Sequence, residues 1–596
     1  MFFIENREKA ESLILQIVRN LGINITPSAF MVLYSLKTTL PRQLFDTIMA
    51  NIEVYIRKRN PPILDNRLLS EVLREVLSSA RPGRTRRISR IREITTLESL
   101  ISKHVREREQ EPKQQNSSVL ALKKQPPISI EAEKKAKVLS IPPELDVAPK
   151  MIVPPVKPRV EYTKKYVIPS KSRQKVPEIE IIKFQDWYTI SDSIDAFKSY
   201  FQSRYKKLRD IIASNVFGKL MNTVNLAPGK YEDVYMVVMV DSKSESKKGR
   251  GGIITADDEY GRVRIYLPFD RYPELKVKFE HIIPDCVVAV RIEAVKSKNF
   301  VIARDIIFPD IPRLRERHKT STSKKVLIAA DLHVGSGVFM KKQFENLIKF
   351  IRGEMKDEKM NEIAQEVEYI LLVGDLVDGV GVYPQQKNEL AIPDQKKQYE
   401  VLAKYLGMIP DGKLIICIPG NHDASTRMIP QPPISEEVAA PLYDLSNVRI
   451  LSNPSMIGID GVKILMYHGV GLERLSGLLN IPLKEPNRIV AELLRYRHLY
   501  PEWGVLSLAP IEDDILVIDE VPDVVLTAHL HIYSVGTYKG TAILSPGSFE
   551  GLTTWQRDIG ISPTIGYFHV MDLSNYEVMI LRATENTVER VKTVRI

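Results

Sequence analysis

Five apolar stretches in the C-terminal half of the chain each run directly into a short polar motif. Each stretch is four to six residues long and rich in Val, Ile and Leu, which is typical of a buried β-strand. Segments of loop and helix pattern separate them, so the sequence predicts an α/β domain over residues 320–596. The stretches and motifs are 326–330 before Asp331-Leu332-His333, 369–373 before Gly374-Asp375 and Asp378-Gly379, 414–419 before Gly420-Asn421-His422-Asp423, 462–467 before His468-Gly469, and 524–527 before Ala528-His529-Leu530-His531.

The polar residues of these motifs are expected to meet, because ligands of α/β sheets gather at the carboxyl ends of the strands. Imidazole and carboxylate donors suit Mn, Fe or Zn, whereas Mg or Ca favours oxygen donors alone. Seven donors are too many for one ion and suit two ions that share a carboxylate, roughly 3.5–4 Å apart, an arrangement that hydrolyses phosphoesters. The candidate metal ligands are Asp331, His333, Asp375, Asn421, His468, His529 and His531.

Taken in order, the five motifs resemble those of the calcineurin-like metallophosphoesterase superfamily: Asp-x-His, Gly-Asp-x-x-Asp, Gly-Asn-His-Asp/Glu, a His after a strand, and Gly-His-x-His. The resemblance implies a two-sheet α/β fold and two divalent metal ions, with Mn²⁺ foremost and Mg²⁺, Fe²⁺ or Zn²⁺ as alternatives. By the same resemblance, one ion is held by Asp331, His333 and His531, Asp375 bridges, and the second ion is held by Asn421, His468 and His529.

Four further residues of the motifs have other expected roles. The resemblance implies that His422 is not a ligand but acts on the phosphate, as a transition-state stabiliser or general acid. Asp378 either hydrogen-bonds a metal ligand or caps the following loop, and Asp423 either orients His422 or caps a turn. Ala528 stands where the family usually has Gly, and we expect the turn to tolerate so small a side chain.

The N-terminal third of the chain lacks motifs of this kind. Residues 1–80 repeat apolar side chains with a helical period, which predicts a small helical docking domain. Residues 81–185 predict a disordered, basic, proline-rich linker, because from Arg81 to Glu180 there are 23 Lys and Arg against 12 Asp and Glu, and 12 of the 38 prolines. That surplus equals the formal charge of +11 for the whole chain. The linker is therefore either a solvated tether or a segment that contacts nucleic acid.

Residues 186–315 predict a helix followed by a small β-barrel. The helix runs from Ser191, its expected N-cap, to about Ile212, with apolar side chains on one face. Five short strands follow between residues 234 and 308, and the long connection between the third and fourth favours an OB barrel. The basic loop 243–252 either contacts phosphates or is solvated, and the chain contains no GxxxxGK[ST] phosphate loop.

The order of these parts narrows the resemblance. An OB barrel followed by intact phosphoesterase motifs resembles the B-subunits of replicative DNA polymerases, and among them the small subunits of archaeal D-family DNA polymerases. This implies a metal-dependent 3′→5′ proofreading exonuclease paired with a separate large catalytic polymerase subunit. Single-stranded or frayed 3′ ends of DNA are the expected substrate, because they cost least to unpair, and a sliding clamp is a further candidate partner.

The predicted protein is therefore multidomain α+β, with a helical N-terminal domain, an OB β-barrel and a two-sheet α/β phosphoesterase domain. Two other functions remain open at this point. A phosphoesterase acting on nucleotides or phosphoproteins would need neither the barrel nor the linker. A non-catalytic scaffold subunit would not need seven intact ligand positions.

Composition excludes several classes of protein. The two cysteines, Cys286 and Cys417, are too few for a disulfide scaffold or a Cys-ligated zinc site. No apolar run approaches the ~20 residues of a membrane span, and the early charges argue against a signal peptide. We therefore expect a cytoplasmic, nucleoid-associated protein.

Several residues outside the motifs have two interpretations each. Tyr500 and Trp503 either stack on bases or pack in the core, and Arg427, Lys387 and Arg488 either contact a nucleic-acid backbone or are solvated. The loop at Pro430 is expected to be rigid and to rim the site. Structural or surface roles are expected for His104, His281, His318, His498 and His569.

Overall fold

In this computed structural model, the described residues are Asn24–Ile25, Ile63–Leu64 and 177–596, apart from 189–192, 247–248, 298, 314, 384–385, 510 and 559. The chain divides into two compact units, Met1–Tyr166 and Val167–Ile596. In the first unit, strand β1 (Asn24–Ile25) pairs in parallel with strand β2 (Ile63–Leu64). The rest of the predicted helical domain, and the predicted linker up to residue 176, lie outside the described residues.

Two predictions at the start of the second unit are corrected. The predicted linker range extends to residue 185, but Glu180–Lys183 forms strand β3, which pairs antiparallel with residues 456–458. Its Lys183 side chain also donates a 2.7 Å hydrogen bond to the carbonyl of Val517. The cap of the next helix is Ser193, whose hydroxyl accepts the Ala196 N–H, and the predicted cap Ser191 lies outside the described residues.

A closed five-stranded barrel follows, as predicted. The elements are α1 (Ile194–Ala213), β4 (Lys219–Leu220), β5 (Gly229–Lys230), β6 (Val234–Glu245), β7 (Gly251–Asp257), β8 (Arg262–Pro268), α2 (Glu274–Glu280), β9 (Val287–Ser297) and β10 (Phe300–Ile307). The barrel strands pair in the order β6-β7-β8-β10-β9 and back to β6, with β8 and β10 parallel and the other pairs antiparallel. The short helix α2 occupies the expected long connection between the third and fourth barrel strands.

The remainder of the second unit is a mixed α/β region, as predicted. Its first half alternates strands and helices: β11 (Lys325–Ala329), α3 (Lys341–Arg352), α4 (Glu358–Gln365), β12 (Val367–Val373), α5 (Gln395–Leu406), β13 (Leu414–Ile418), α6 (Glu436–Tyr443), β14 (Val448–Ile450), β15 (Ser455–Ile459) and β16 (Val462–Met466). Its second half contains α7 (Leu472–Leu479), α8 (Pro486–Tyr496), β17 (Val524–Leu526), β18 (Ser534–Tyr538), β19 (Thr541–Ser545), α9 (Thr554–Asp558), β20 (Tyr567–Asp572), β21 (Glu577–Ala583) and β22 (Val588–Arg595).

The strands of this region form two sheets that pack face to face. The first has the order β14-β13-β12-β11-β20-β21-β22, and the second has the order β18-β19-β17-β16-β15-β3. Between them lies an apolar layer that includes Ile328 and Leu371 of the first sheet and Ile464 and Leu526 of the second. The two sheets are thus held together by burial of their facing aliphatic side chains, the dominant favourable contribution to folding.

Helices cover the outer face of each sheet. Helix α3 shows why: Phe344, Leu347 and Ile351 recur at helical spacing and are buried against the first sheet, and the helix ends at Gly353 in the left-handed conformation. Helices α7 and α8 pack on the second sheet, in an apolar cluster that continues into the barrel interior. Among the helices that the structure describes, none has the length and apolar character needed to span a membrane.

Candidate metal centre

The predicted ligands converge because the strands that precede them are parallel neighbours. Strands β11, β12 and β13 run in parallel in the first sheet, and β16 and β17 run in parallel in the second. Their carboxyl ends therefore meet at the same edge of the two packed sheets. There the structure brings together Asp331, His333, Asp375, Asn421, His468, His529 and His531.

Five of these seven residues have a left-handed backbone, which non-glycine residues rarely adopt. Such strain is typical of functional sites, where the surrounding structure holds it in place. The Asp331 N–H donates to the Gly374 carbonyl, and the His333 N–H donates to the Asp375 carbonyl, each at 3.1 Å. The φ angles are +50° for Asp331, +49° for His333, +49° for Asp375, +70° for His529 and +57° for His531.

Two motif glycines are required by close contacts at the site. A Cβ atom on Gly420 would overlap the Asp375 carboxylate and lie 2.5 Å from the Asp375 backbone nitrogen. A Cβ atom on Gly374 would collide with the imidazole of His468. The glycine of the third motif therefore lets a proposed ligand of the adjacent strand approach, and the glycine of the second motif lets one approach from the other sheet.

One group of donors consists of Asp331, His333 and His531, all of them buried. His333 Nε2 lies 3.2 Å from His531 Nε2, and His531 Nε2 lies 3.9 Å from Asp331 Oδ1. The carboxylate of Asp331 also accepts the backbone N–H of His529 at 3.2 Å.

A second group consists of Asp375, His468 and His529. His468 Nε2 lies 3.3 Å from Asp375 Oδ2 and 3.2 Å from Asn421 Oδ1. The same Asp375 Oδ2 lies 3.6 Å from His333 Nε2. Asp375 is therefore the carboxylate shared by the two groups, as a bridging ligand would be.

Two of the imidazoles, those of His333 and His468, have Nδ1 partners that accept a hydrogen bond. His333 donates Nδ1–H to Asp378 at 3.0 Å, and His468 donates Nδ1–H to the Val373 carbonyl at 2.8 Å. Because Nδ1 of each ring is engaged in this way, Nε2 is the nitrogen that faces the Asp375 carboxylate and that a metal ion would take. Convergence of imidazole nitrogens and carboxylate oxygens fits two divalent cations.

The ionisable side chains of the two donor groups shift one another's pKa values. Burial raises the pKa of Asp331 to about 6. Although burial would raise it, His468 and His422 hold the pKa of Asp375 well below its usual range. Although burial would lower it, Asp375 raises the pKa of His468 to about 9. Asp375 is therefore the permanent anion of the site.

His422 lies beside both donor groups. Its Nδ1–H donates to the Asp378 carbonyl at 2.8 Å, and its backbone N–H donates to Asp375 Oδ1 at 2.9 Å. Its Nε2 lies 4.0 Å from Asp375 Oδ2, close enough for His422, His333 and Asp375 to form a further possible metal-binding group. Burial lowers the pKa of His422, so the free ring is neutral near pH 7.

The two motif aspartates differ in their contacts. Asp378 hydrogen-bonds the predicted ligand His333, and Gln386 donates to the Asp378 backbone carbonyl at 2.7 Å. Asp423 makes no contact with the His422 ring in the described hydrogen bonds. It accepts the N–H groups of Gly420 and Leu376, at 2.8 and 3.1 Å, and so ties together the loops that follow β12 and β13.

Sequence reasoning missed two buried or half-buried carboxylates. Glu473 Oε2 lies 3.2 Å from His529 Nε2, which leaves His529 Nδ1 for the second donor group. Glu550 lies near His333 and Asp378, and burial raises its pKa to about 7. Neither residue belongs to a strand-end motif, so the sequence contains no local signal for them.

Other candidates do not join the site. Trp503 packs edge-to-face on Phe197 and Phe201, and Tyr500 is buried. Arg488 pairs with Glu485, whereas Arg427 is exposed and donates to the Gly381 carbonyl. The loop at Pro430 is buried, and Gln431 donates to the Gly420 carbonyl, which ties this loop to the third motif.

The remaining described histidines and Ala528 have structural contacts. Ala528 is absent from the residues of positive φ in the described chain, so its methyl group fits the turn without strain. His104 lies outside the described residues. The partners are Glu492 for His281, Asp523 for His318, Asp514 for His498 and the Ser545 carbonyl for His569.

Comparison with known proteins gives the family. The family model for the B-subunits of DNA polymerases alpha and epsilon matches residues 326–534. The DNA polymerase II small subunit of Methanothermobacter thermautotrophicus is 35% identical over 385 residues, which cover 64% of this chain and 78% of that protein. The chain belongs to the DNA polymerase II small subunit family. This confirms the resemblance drawn from the order of motifs and domains.

Two further comparisons show how far the likeness extends. The DNA polymerase II small subunit of Pyrococcus horikoshii is 36% identical over 398 residues, and the match spans 65% of this chain but only 62% of that protein. Among solved structures, wild-type Vps29 of Entamoeba histolytica in complex with zinc is similar over 46% of this chain and 98% of its own, with 14% identity and a TM-score of 0.24.

Proposed function

We propose that the chain is the small subunit of a heteromeric replicative DNA polymerase and that its metal centre is a 3′→5′ exonuclease. The observation that carries this proposal is the position of Asp375 between two groups of imidazole and oxygen donors. Membership of the DNA polymerase II small subunit family supports a role in a DNA polymerase, with DNA as the substrate. A large catalytic subunit is then the expected partner, and the cytoplasm with its nucleoid the expected location.

The donors divide naturally between two ions. Asp331, His333 and His531 would hold one, and Asn421, His468 and His529 would hold the other, with Asp375 between them. Such a pair supplies a hydroxide nucleophile at neutral pH and stabilises charge on the phosphate and leaving oxygens. We expect both metal ions to be Mn²⁺, because the donor set mixes imidazole nitrogens with several oxygens.

His422 would act on the scissile phosphate directly. Its Nδ1 is engaged by the Asp378 carbonyl, so Nε2 is the atom that faces the substrate. The fixed ring would bind a phosphate oxygen as the imidazolium and stabilise the charge that develops in the transition state. Because burial lowers its pKa in the free protein, His422 would take up a proton when the anionic substrate arrives.

The domain order favours DNA over small phosphoesters. The five-stranded barrel has the strand order and the parallel third–fifth pair that we expect of an OB fold, a common binder of single strands. Frayed or mismatched 3′ ends would be preferred, because they cost least to unpair. A sliding clamp remains a further proposed partner.

The test uses the full-length protein, Mn²⁺ and a primer labelled away from its 3′ end. We expect stepwise 3′ shortening that is lost in Asp375→Ala, and no incorporation of dNTPs by the isolated chain. Faster turnover of cyclic nucleotides or phosphopeptides than of oligonucleotides would favour the alternative phosphoesterase. Absence of all hydrolysis, with ions bound, would leave a scaffold role.

A further inference from the structure

Glu550 is a buried carboxylate that lies beside the metal centre but outside the five motifs. It is 4% exposed and follows strand β19. Its Oε1 accepts the Ser336 hydroxyl at 2.8 Å, and its backbone N–H donates to Ser548 Oγ at 2.9 Å. An isolated β-bridge to Phe339 fixes the same backbone. The side chain is thus held in one orientation by its neighbours.

The second oxygen of this carboxylate lies near the proposed ligand His333. Glu550 Oε2 is 3.8 Å from His333 Nε2, the nitrogen that faces Asp375, and 3.9 Å from Nδ1 of His531, the ring nitrogen opposite the one beside Asp331. It accepts no hydrogen bond from the described residues. Because burial of a carboxylate is costly, a cation or a proton beside this oxygen would stabilise it.

Donor spacing supports a cation. Two donor atoms that bind the same ion, each at ~2.1 Å from it, can be at most ~4.2 Å apart. Measured from His333 Nε2, His531 Nε2 lies at 3.2 Å, Asp375 Oδ2 at 3.6 Å and Glu550 Oε2 at 3.8 Å. All three distances fall within the limit, so Glu550 Oε2 is close enough to share an ion with His333 Nε2.

We propose that Glu550 is an additional oxygen ligand of the ion position formed by Asp331, His333 and His531, an inference that rests on the proposed metal centre. With Asp331 and Asp375, it brings the carboxylates at this position to three, against two imidazoles. Oxygen donors favour Mn²⁺ or Mg²⁺, whereas imidazole-rich sites suit Zn²⁺. Glu550 would therefore bias this position towards Mn²⁺.

The test measures ion binding rather than hydrolysis. Full-length wild type, Glu550→Gln and Ser336→Ala are titrated with MnCl₂ and ZnCl₂ by calorimetry, and bound Mn²⁺ is followed by electron paramagnetic resonance. We expect Glu550→Gln to weaken Mn²⁺ binding at one of two sites at least tenfold, with a smaller change for Zn²⁺. Ser336→Ala should weaken it less, because it only frees the orientation of the carboxylate.

A matched control is Glu585→Gln, since Glu585 is an exposed carboxylate paired with Lys342. Mn²⁺ affinity of Glu550→Gln equal to that of Glu585→Gln, at an unchanged melting temperature, would overturn the inference. An altered Mn²⁺ spectrum with intact folding would support it. If wild type binds two ions but never shortens DNA, the exonuclease proposal fails while the role of Glu550 stands.

Discussion

The carboxylate of Glu473 lies 3.2 Å from Nε2 of His529. Glu473 lies in the first turn of helix α7, a few residues after the proposed ligand His468, whereas His529 follows a different strand. The Oε2 atom of Glu473 also accepts the Gly471 N–H at 3.1 Å. A carboxylate that binds the outer nitrogen of a ligand histidine fixes the ring and its tautomer.

The first prediction is that Glu473→Ala weakens ion binding at the second position roughly 10- to 100-fold. Glu473→Gln should retain most affinity, since its amide oxygen can still accept His529 Nε2–H. Calorimetric titration with Mn²⁺ measures both. Equal affinities of the alanine variant and wild type would show that His529 is held by other contacts.

The second prediction concerns the close approach at Gly420. Gly420→Ala should abolish ion binding and lower stability, because the added methyl group collides with Asp375. Gly477→Ala is the matched control: a Cβ atom added to Gly477 in helix α7 would meet nothing within 4 Å, and Ala is favoured there by about 1 kcal/mol. Denaturant unfolding and ion titration of both variants provide the comparison.

The third prediction concerns a buried ion pair far from the motifs. Arg204 of helix α1 is fully buried and donates Nε–H to Asp514 at 2.7 Å. Arg204→Ala should lower the free energy of unfolding by about 3–5 kcal/mol, because it leaves Asp514 buried without its cation. Lys207→Ala, which removes a more exposed pair with Asp513, should cost less than about 1 kcal/mol. Urea unfolding separates the two outcomes.

The fourth prediction follows from His498, which contacts the same Asp514. Burial, with Arg204 nearby, lowers the pKa of His498 to about 4. Between its unfolded pKa of about 6.5 and 4, the unfolded chain binds a proton that the folded chain does not. This group should therefore remove about 1.4 kcal/mol of stability per pH unit as the pH falls through that window. Urea midpoints at pH 7 and 4.5 test this, and His498→Gln should flatten the difference.

Strand-end motifs predicted much of the site because their effect is local. A polar residue directly after a buried parallel strand must emerge at the sheet edge. The convergence of Asp331, Asp375 and His468 is therefore predictable from the sequence. Glu473 and Glu550 could not, since their contacts depend on how helix α7 and the segment after β19 cross the sheets. Residues 180–183 show the same limit, because Ile181 and Ile182 form a strand only through pairing with the edge of the second sheet, a contact that the local sequence does not indicate.

The proposed ligands come from both sheets: Asp331, His333, Asp375 and Asn421 from the first, and His468, His529 and His531 from the second. Neither sheet alone contains a complete group of donors. The proposed ions would bind only to a chain in which the two sheets have packed. Their binding would therefore stabilise the folded state and not the unfolded chain. The metal centre would cross-link the two sheets at one edge of the apolar layer. A chelator should therefore lower the melting temperature as well as stop hydrolysis.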